Sequence, residues 1–121
     1  MQDKCTTLIV DDNLLFRFVL AEMLVDNGFL VIQAGDAAEA LACIDNRPGI
    51  SAVTSDIDMP GELDGIGFAR ELRDAWPDLP IIMVSGCFEA PPELPDGVPF
   101  LPKPVPDRLL VAMLRQMTGS A

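Results

Sequence analysis

Short runs of apolar or β-branched residues alternate along the chain with longer stretches whose apolar positions recur at helical spacing. Thr6 to Val10 reads as a first buried strand, ending at Asp11-Asp12. Asp12 and Asn13 offer acceptors suited to capping the helix that follows, from about Leu14 to Asp26, which Asn27-Gly28 ends. On that helix Leu15, Val19 and Met23 form one row and Phe16, Leu20 and Leu24 the next, a stripe wide enough to cover a sheet face. Leu14 and Phe18 fall outside it. Phe29 to Gln33 is a second strand, and Asp36 can cap a helix through Ala37, Ala40, Leu41 and Ile44 that stops before Pro48-Gly49. Ile50 to Ser55 is a third strand, and Pro60-Gly61 with Asp64-Gly65 frame a turn-rich loop. Ile66 to Ala75 is helical by the spacing of Phe68, Ala69 and Leu72, and Trp76-Pro77 closes it. Ile81 to Val84 is a fourth strand, ending at Ser85-Gly86. The order predicts a parallel sheet covered by helices on both faces.

The alternation breaks between Cys87 and Pro99. A fourth crossover helix belongs here, but Pro91, Pro92, Pro95 and Pro99 each remove a backbone donor, and an interior proline costs a helix about 3 kcal/mol. At most one irregular turn is expected. Val98 to Leu101 then forms a short fifth strand. Pro106-Asp107 starts a last amphipathic helix through Leu109, Leu110, Met113, Leu114 and Met117, with Arg108 and Arg115 outside.

Composition narrows the function classes. A length of 121 residues suits one domain, expected over 1–121 with no output domain. No apolar run approaches a membrane span, and the amino terminus lacks the basic-then-apolar pattern of a signal peptide, so a cytoplasmic protein without membrane contact is expected. Eight basic against nineteen acidic residues give a net charge of −11, which repels phosphate backbones and argues against direct nucleic-acid binding. Cys5, Cys43 and Cys87 form no Cys-x-x-Cys pair and have no histidine to join them, so they read as free thiols.

The polar residues that bear chemistry sit just past the strands: Asp11 and Asp12 after the first, Asp56 after the third, Ser85 after the fourth, Lys103 after the fifth. In a parallel sheet these ends share one edge, where ligands bind. Crowded carboxylates repel unless a cation neutralises them or a proton is retained. Oxygen-only ligands favour a hard ion, Mg2+ rather than a full calcium cage, with Mn2+ able to substitute. A lysine and a hydroxyl beside such an ion are what a phosphoryl group requires.

Taken together, Ile9-Val10-Asp11-Asp12, Ser55-Asp56-Ile57-Asp58-Met59-Pro60 followed by Asp64-Gly65, Val84-Ser85-Gly86 and Phe100-Leu101-Pro102-Lys103-Pro104 resemble the receiver domains of two-component response regulators. The resemblance covers essentially the whole chain. The spacings from Asp12 to Asp56 and from Asp56 to Ser85 suit the family, whereas that from Ser85 to Lys103 is somewhat short. The resemblance implies an α/β fold: a single doubly wound five-stranded parallel sheet, flavodoxin-like with strand order 2-1-3-4-5, here with the fourth crossover helix degenerate.

It further implies that Asp56 accepts a phosphoryl group from a sensor histidine kinase or histidine phosphotransfer protein and switches binding to a downstream protein target. Asp12 and Asp56 would ligate the metal, with the Asp58 backbone carbonyl as a third ligand and Asp11 assisting. Lys103 would pair with a carboxylate before reaction and with a phosphoryl oxygen after it. Ser85 and Phe100 would be the switch pair, and Lys103-Pro104 a cis peptide. A monomer or weak dimer is expected. The loop Gly61 to Gly65 is one residue longer than the commonest form, and Asp58 adds a carboxylate two residues past Asp56. Activity is expected to be confined to self-catalysed phosphoryl transfer and slow hydrolysis.

Plainer readings accompany these. One acid at a strand end is more often a helix cap, and Phe100, Leu14 and Phe18 can be ordinary core. Against the last, Leu14, Leu15 and Phe18 are candidates for an exposed apolar cluster that docks the phosphodonor's helices. Rival functions are a pseudo-receiver that binds partners without phosphorylation and a phosphohydrolase of the haloacid dehalogenase type. The latter rests on Asp56-Ile57-Asp58, although its Asp-x-Asp motif normally follows a first strand.

Overall fold

In the computed structural model, residues 5–46, 49–59, 64–86 and 93–119 are described. The elements run β1 (Thr6–Val10), α1 (Leu14–Asp26), β2 (Leu30–Ala34), α2 (Ala37–Asn46), β3 (Ala52–Asp56), α3 (Gly65–Ala75), β4 (Ile81–Ser85), β5 (Phe100–Pro102) and α4 (Asp107–Thr118). All strand pairs are parallel and the sheet order is β2-β1-β3-β4-β5, as the resemblance implied. The inner strands β3 and β4 are buried throughout, β4 apolar on both faces up to Ser85 and β3 carrying buried Thr54, Ser55 and Asp56 toward its carboxyl end, whereas β2 and β5 lie at the edges and stay partly open.

The two faces carry separate cores. Leu8, Val10, Val53, Ile81 and Met83 point to the side covered by α2 and α3, meeting Ala40, Ile44, Phe68 and Leu72. Ile9, Ala52, Ile82 and Val84 point to the other side, meeting Leu20 and Leu24 of α1 and Leu110 and Leu114 of α4. The period of two along each strand thus feeds alternate residues to opposite layers.

The starts of α1, α2 and α3 follow side-chain acceptors, whereas α4 begins after Pro106 without one. Asn13 Oδ1 accepts from the Phe16 amide at 2.9 Å, Asp36 Oδ1 from Glu39 at 2.8 Å, and Asp64 Oδ1 from Gly67 at 2.9 Å. Three strands begin away from the sequence expectation, and β3, β4 and β5 each end one residue later. β2 is displaced by one residue because Thr6 to Val10 pair with Leu30 to Ala34, leaving Phe29 to fill the core ahead of the strand. β3 begins at Ala52 rather than Ile50. β5 begins at Phe100 rather than Val98, whose amide is engaged in a turn with Pro95 O at 3.3 Å. Residues 93–99 form turns without a helix, while Cys87, Pro91, Pro92 and the loop 60–63 lie outside the described residues. Cys5 and Cys43 are free thiols.

The α1 stripe requires a larger correction. The row Phe16, Leu20, Leu24 faces the sheet, together with Ala21, but Leu15 and Val19 are 73% and 58% exposed. A helix that is apolar almost all round leaves its buried side undetermined by periodicity, and packing against β1 decides it. On α4 likewise, Leu109 is exposed, and Val111 takes the core position beside Leu110.

One close approach shapes the end of β3. A Cβ on Gly65 would fall against Ile57 Cα, Ile57 O and Asp56 O, all backbone atoms that cannot swing aside. The Gly65 amide donates to Ile57 O at 3.0 Å, so α3 starts directly on the peptide that follows Asp56. Gly65→Ala is therefore expected to destabilise the fold by about 3 kcal/mol, the upper range of core overpacking, measured by urea denaturation.

Candidate functional site

The chain leaves β1 for β2 on one side and returns to β3 on the other, so the carboxyl ends of β1 and β3 flank the point where the sheet order reverses. Ligand crevices in such sheets open there. Asp11 and Asp12 extend from β1 and Asp56 ends β3. One carboxylate oxygen from each lies within 4.8 Å of the others. Asp11 and Asp56 are buried and Asp12 is exposed, so the cluster is open to solvent on the Asp12 side.

Local bonds hold each acid. Asp11 Oδ1 accepts from the Asn13 amide at 2.8 Å, and its carbonyl accepts from Arg17 Nη1 at 2.7 Å. Arg17 is held in turn by Gln33 Oε1 at 3.1 Å. Asp56 Oδ1 accepts from the Asp58 amide at 3.1 Å. Lys103 Nζ then reaches in from the end of β5, 3.1 Å from Asp11 Oδ2 and 3.2 Å from Asp56 Oδ2. The Lys103 amide donates to Ser85 O at 2.7 Å, tying the β5 end to the β4 end, and Lys103-Pro104 is cis.

Lys103 also lies over the Phe16 ring, 4.2 Å from its centroid. The ring face is electron-rich and favours the ammonium on the side not taken by the two carboxylates. Ser85, buried at the end of β4, donates its hydroxyl to Asp58 Oδ2 at 2.9 Å. Phe100 is half-buried against the α2–α3 core. Leu14, Leu15 and Phe18 are 69%, 73% and 53% exposed on α1, next to the loop that carries Asp12, so the plain core reading of Leu14 and Phe18 does not hold.

Asp11, Asp12, Asp56, Ser85, Lys103 and Asp58 thus meet at one sheet edge. The sequence places Phe16 in a core row and marks the Asp58 carboxylate two residues past Asp56, but indicates neither the ammonium over Phe16, the Arg17 bond to the Asp11 carbonyl nor the Asp58 bond to Ser85. Phe16 had a signal: it is the member of the core row in the first turn of α1, next to the end of β1 where the acids lie. Arg17 had only its charge, as the one basic residue of α1.

The donor set fits a hard divalent cation: three carboxylate oxygens close enough to share one ion, two of them buried, and no nitrogen or sulfur ligand among them. Burial pushes the Asp56 carboxyl above its ordinary value, and the Asp11 charge adds to this, against the opposing pull of the Asp58 amide and of Lys103. For Lys103, burial acts downward, but the hydrogen bond and charge of Asp11, then those of Asp56, outweigh it and raise the ammonium above its usual range.

This is the arrangement of a receiver-type α/β domain. The sequence matches the family described as Response regulator receiver domain over residues 7–115, and the chain belongs to that family. It is similar to the Sensor protein TorS of Escherichia coli (strain K12), 32% identical over 93% of this chain and 13% of that protein. It is also similar to the Response regulator MprA of Mycobacterium sp. (strain KMS), 38% identical over 91% of this chain and 49% of that protein. The chain therefore spans less than half the length of either. A solved receiver domain of NtrX from Brucella abortus aligns with a TM-score of 0.84 at 30% identity, covering 95% of this chain and 99% of that one. The family and the position of Asp56 after the third strand leave the haloacid dehalogenase reading without support. No helix among the described residues is long and apolar enough to cross a membrane.

Both raised values carry the same sign of linkage. A folded pKa above the unfolded one stabilises below the unfolded value, and that contribution is lost as pH rises through the folded value. For Asp56 the loss begins in the ordinary carboxylate range; for Lys103 it falls in the alkaline range. In metal-free protein at neutral pH, Asp56→Asn, which removes a buried charge, is expected to raise Tm by a few degrees. The gain should vanish near pH 4, where wild-type Asp56 is itself protonated, as calorimetry across pH would read.

Proposed function

We propose that this domain is a phosphorylation-controlled switch in which Asp56 accepts a phosphoryl group from a phosphohistidine on a sensor kinase or phosphotransfer protein. The observation that carries this reading is the convergence of Asp11, Asp12 and Asp56 within 4.8 Å, with Lys103 bonded to two of them. Crowded carboxylates with one cation suit a reaction that brings in further negative charge only with a metal ion. Asp12 and Asp56, assisted by Asp11 and by the Asp58 carbonyl, would hold Mg2+, which when bound offsets the charge on the transferring group.

The chain's own residues supply the rest. One Asp56 carboxylate oxygen forms the new O–P bond while the P–N bond to the donor imidazole breaks, its electron pair passing to the nitrogen. Lys103 is already between Asp11 and Asp56, and exchanges a carboxylate partner for a phosphoryl oxygen. Ser85 offers its hydroxyl to a second oxygen, and Phe100 follows the strand ends as that hydroxyl moves. Supporting a docking role, Leu14, Leu15, Phe18 and Val19 make an exposed apolar strip on α1 beside the acid loop. Such a strip suits the apolar helices of a phosphodonor.

The test is intact-protein mass after incubation with acetyl phosphate and Mg2+. A single phosphate adduct is expected on the native chain, absent from Asp56→Asn and abolished by EDTA. An unmodified native chain in the presence of Mg2+ would replace this reading with that of a phosphorylation-independent interaction module. For docking, Leu15→Asp with Phe18→Asp is expected to slow transfer from a phosphorylated histidine phosphotransfer domain at least tenfold. Its rate with acetyl phosphate should stay within twofold of wild type, a contrast that rapid-quench kinetics would read.

A further inference from the structure

Asp58 carries a carboxylate that neither the nucleophile nor the carboxylate ligand set uses, yet it touches both ends of the switch. Its amide donates to Asp56 Oδ1 at 3.1 Å, and its Oδ2 accepts the Ser85 hydroxyl at 2.9 Å. The peptide between is held firmly: Ile57 N donates to Val84 O at 2.9 Å, and Ile57 O accepts from Gly65 at 3.0 Å and from Met59 at 3.1 Å. Ser85 is buried, whereas Asp58 is exposed. The Asp58 side chain can therefore turn into water without losing solvation, while the hydroxyl has to keep an acceptor.

We propose that the Asp58 carboxylate is a positioning residue that holds the Ser85 hydroxyl in the unphosphorylated domain, so that switching exchanges one anionic acceptor for another. The proposal rests on Asp56 being the phosphoacceptor. A serine hydroxyl has one proton to donate, so a full hydrogen bond to Asp58 and one to a phosphoryl oxygen exclude each other. A phosphoryl group adds close to two negative charges next to the Asp58 carboxylate. Its arrival at once offers Ser85 a new acceptor and repels the old one. Asp58 then sets a threshold: charge at Asp56 must outcompete a charge-assisted hydrogen bond before Ser85 moves.

The probe is beryllofluoride with Mg2+, a phosphoryl analogue, titrated by calorimetry. Asp58→Ala is expected to bind it about tenfold more tightly than wild type, the scale of one hydrogen bond to a charged group. Asp58→Asn, which retains a carbonyl acceptor without the charge, should fall between. In a Ser85→Ala background the gain from Asp58→Ala should shrink below twofold. A gain that persists in full without the hydroxyl would mean simple repulsion by Asp58 and would overturn the proposal. A second readout needs no anion: three-bond couplings of the Ser85 side chain should report one rotamer in wild type and averaging in Asp58→Ala. An unchanged Ser85 rotamer overturns the hold on the hydroxyl. Absence of any beryllofluoride binding by wild type overturns instead the phosphoacceptor reading, and with it the exchange.

Discussion

Burial of negative charge at the carboxyl edge of the sheet is the constraint on which the site depends. Two unit charges about 5 Å apart repel by roughly 3 kcal/mol at an effective dielectric near 20, and Asp11 and Asp56 are also removed from water. Lys103 answers both with bonds of 3.1 and 3.2 Å. To arrive there, the end of β5 is bonded to the end of β4 through Lys103 N and Ser85 O, and Met83 N bonds Pro99 O. A strand of only three residues therefore has a defined purpose, since it delivers one ammonium to a fixed point.

The same charge balance explains why the resting site is poised rather than relaxed. Lys103 is raised by the acids beside it, yet Asp56 remains harder to ionise than an ordinary carboxylate because burial outweighs that attraction. A single cation does not offset three acids. A hard ion held from the exposed Asp12 side would remove the remaining repulsion among the three acids.

Helix α1 joins this centre to the surface. Its inward residues serve the site, with Phe16 under Lys103 and Arg17 on the Asp11 carbonyl, while Leu14, Leu15, Phe18 and Val19 face solvent. Here the sequence pattern misled. Leu15 and Val19 form as good a helical row as Phe16 and Leu20, and periodicity has no means of ranking two apolar rows on one helix. The amphipathic helix α3, with polar residues opposite Phe68, Ala69 and Leu72, leaves no such choice and was legible outright. Strand limits were less legible than strand existence: β2, β3 and β5 shifted because their limits follow partner register, whereas β1 kept the bounds of its own apolar run.

What the sequence by itself determined is the set of strand ends and the residue types placed there. Acids after β1 and β3, a hydroxyl after β4 and a lysine past β5 follow from apolar runs that stop at polar residues, and a parallel sheet brings such ends to one edge. Only the tertiary structure decided which side of α1 is buried, that Phe16 lies beneath Lys103, and that Asp58 is joined to Ser85. These depend on side-chain directions at contacts between segments far apart in the chain, set by strand register and helix packing, and no local pattern encodes them.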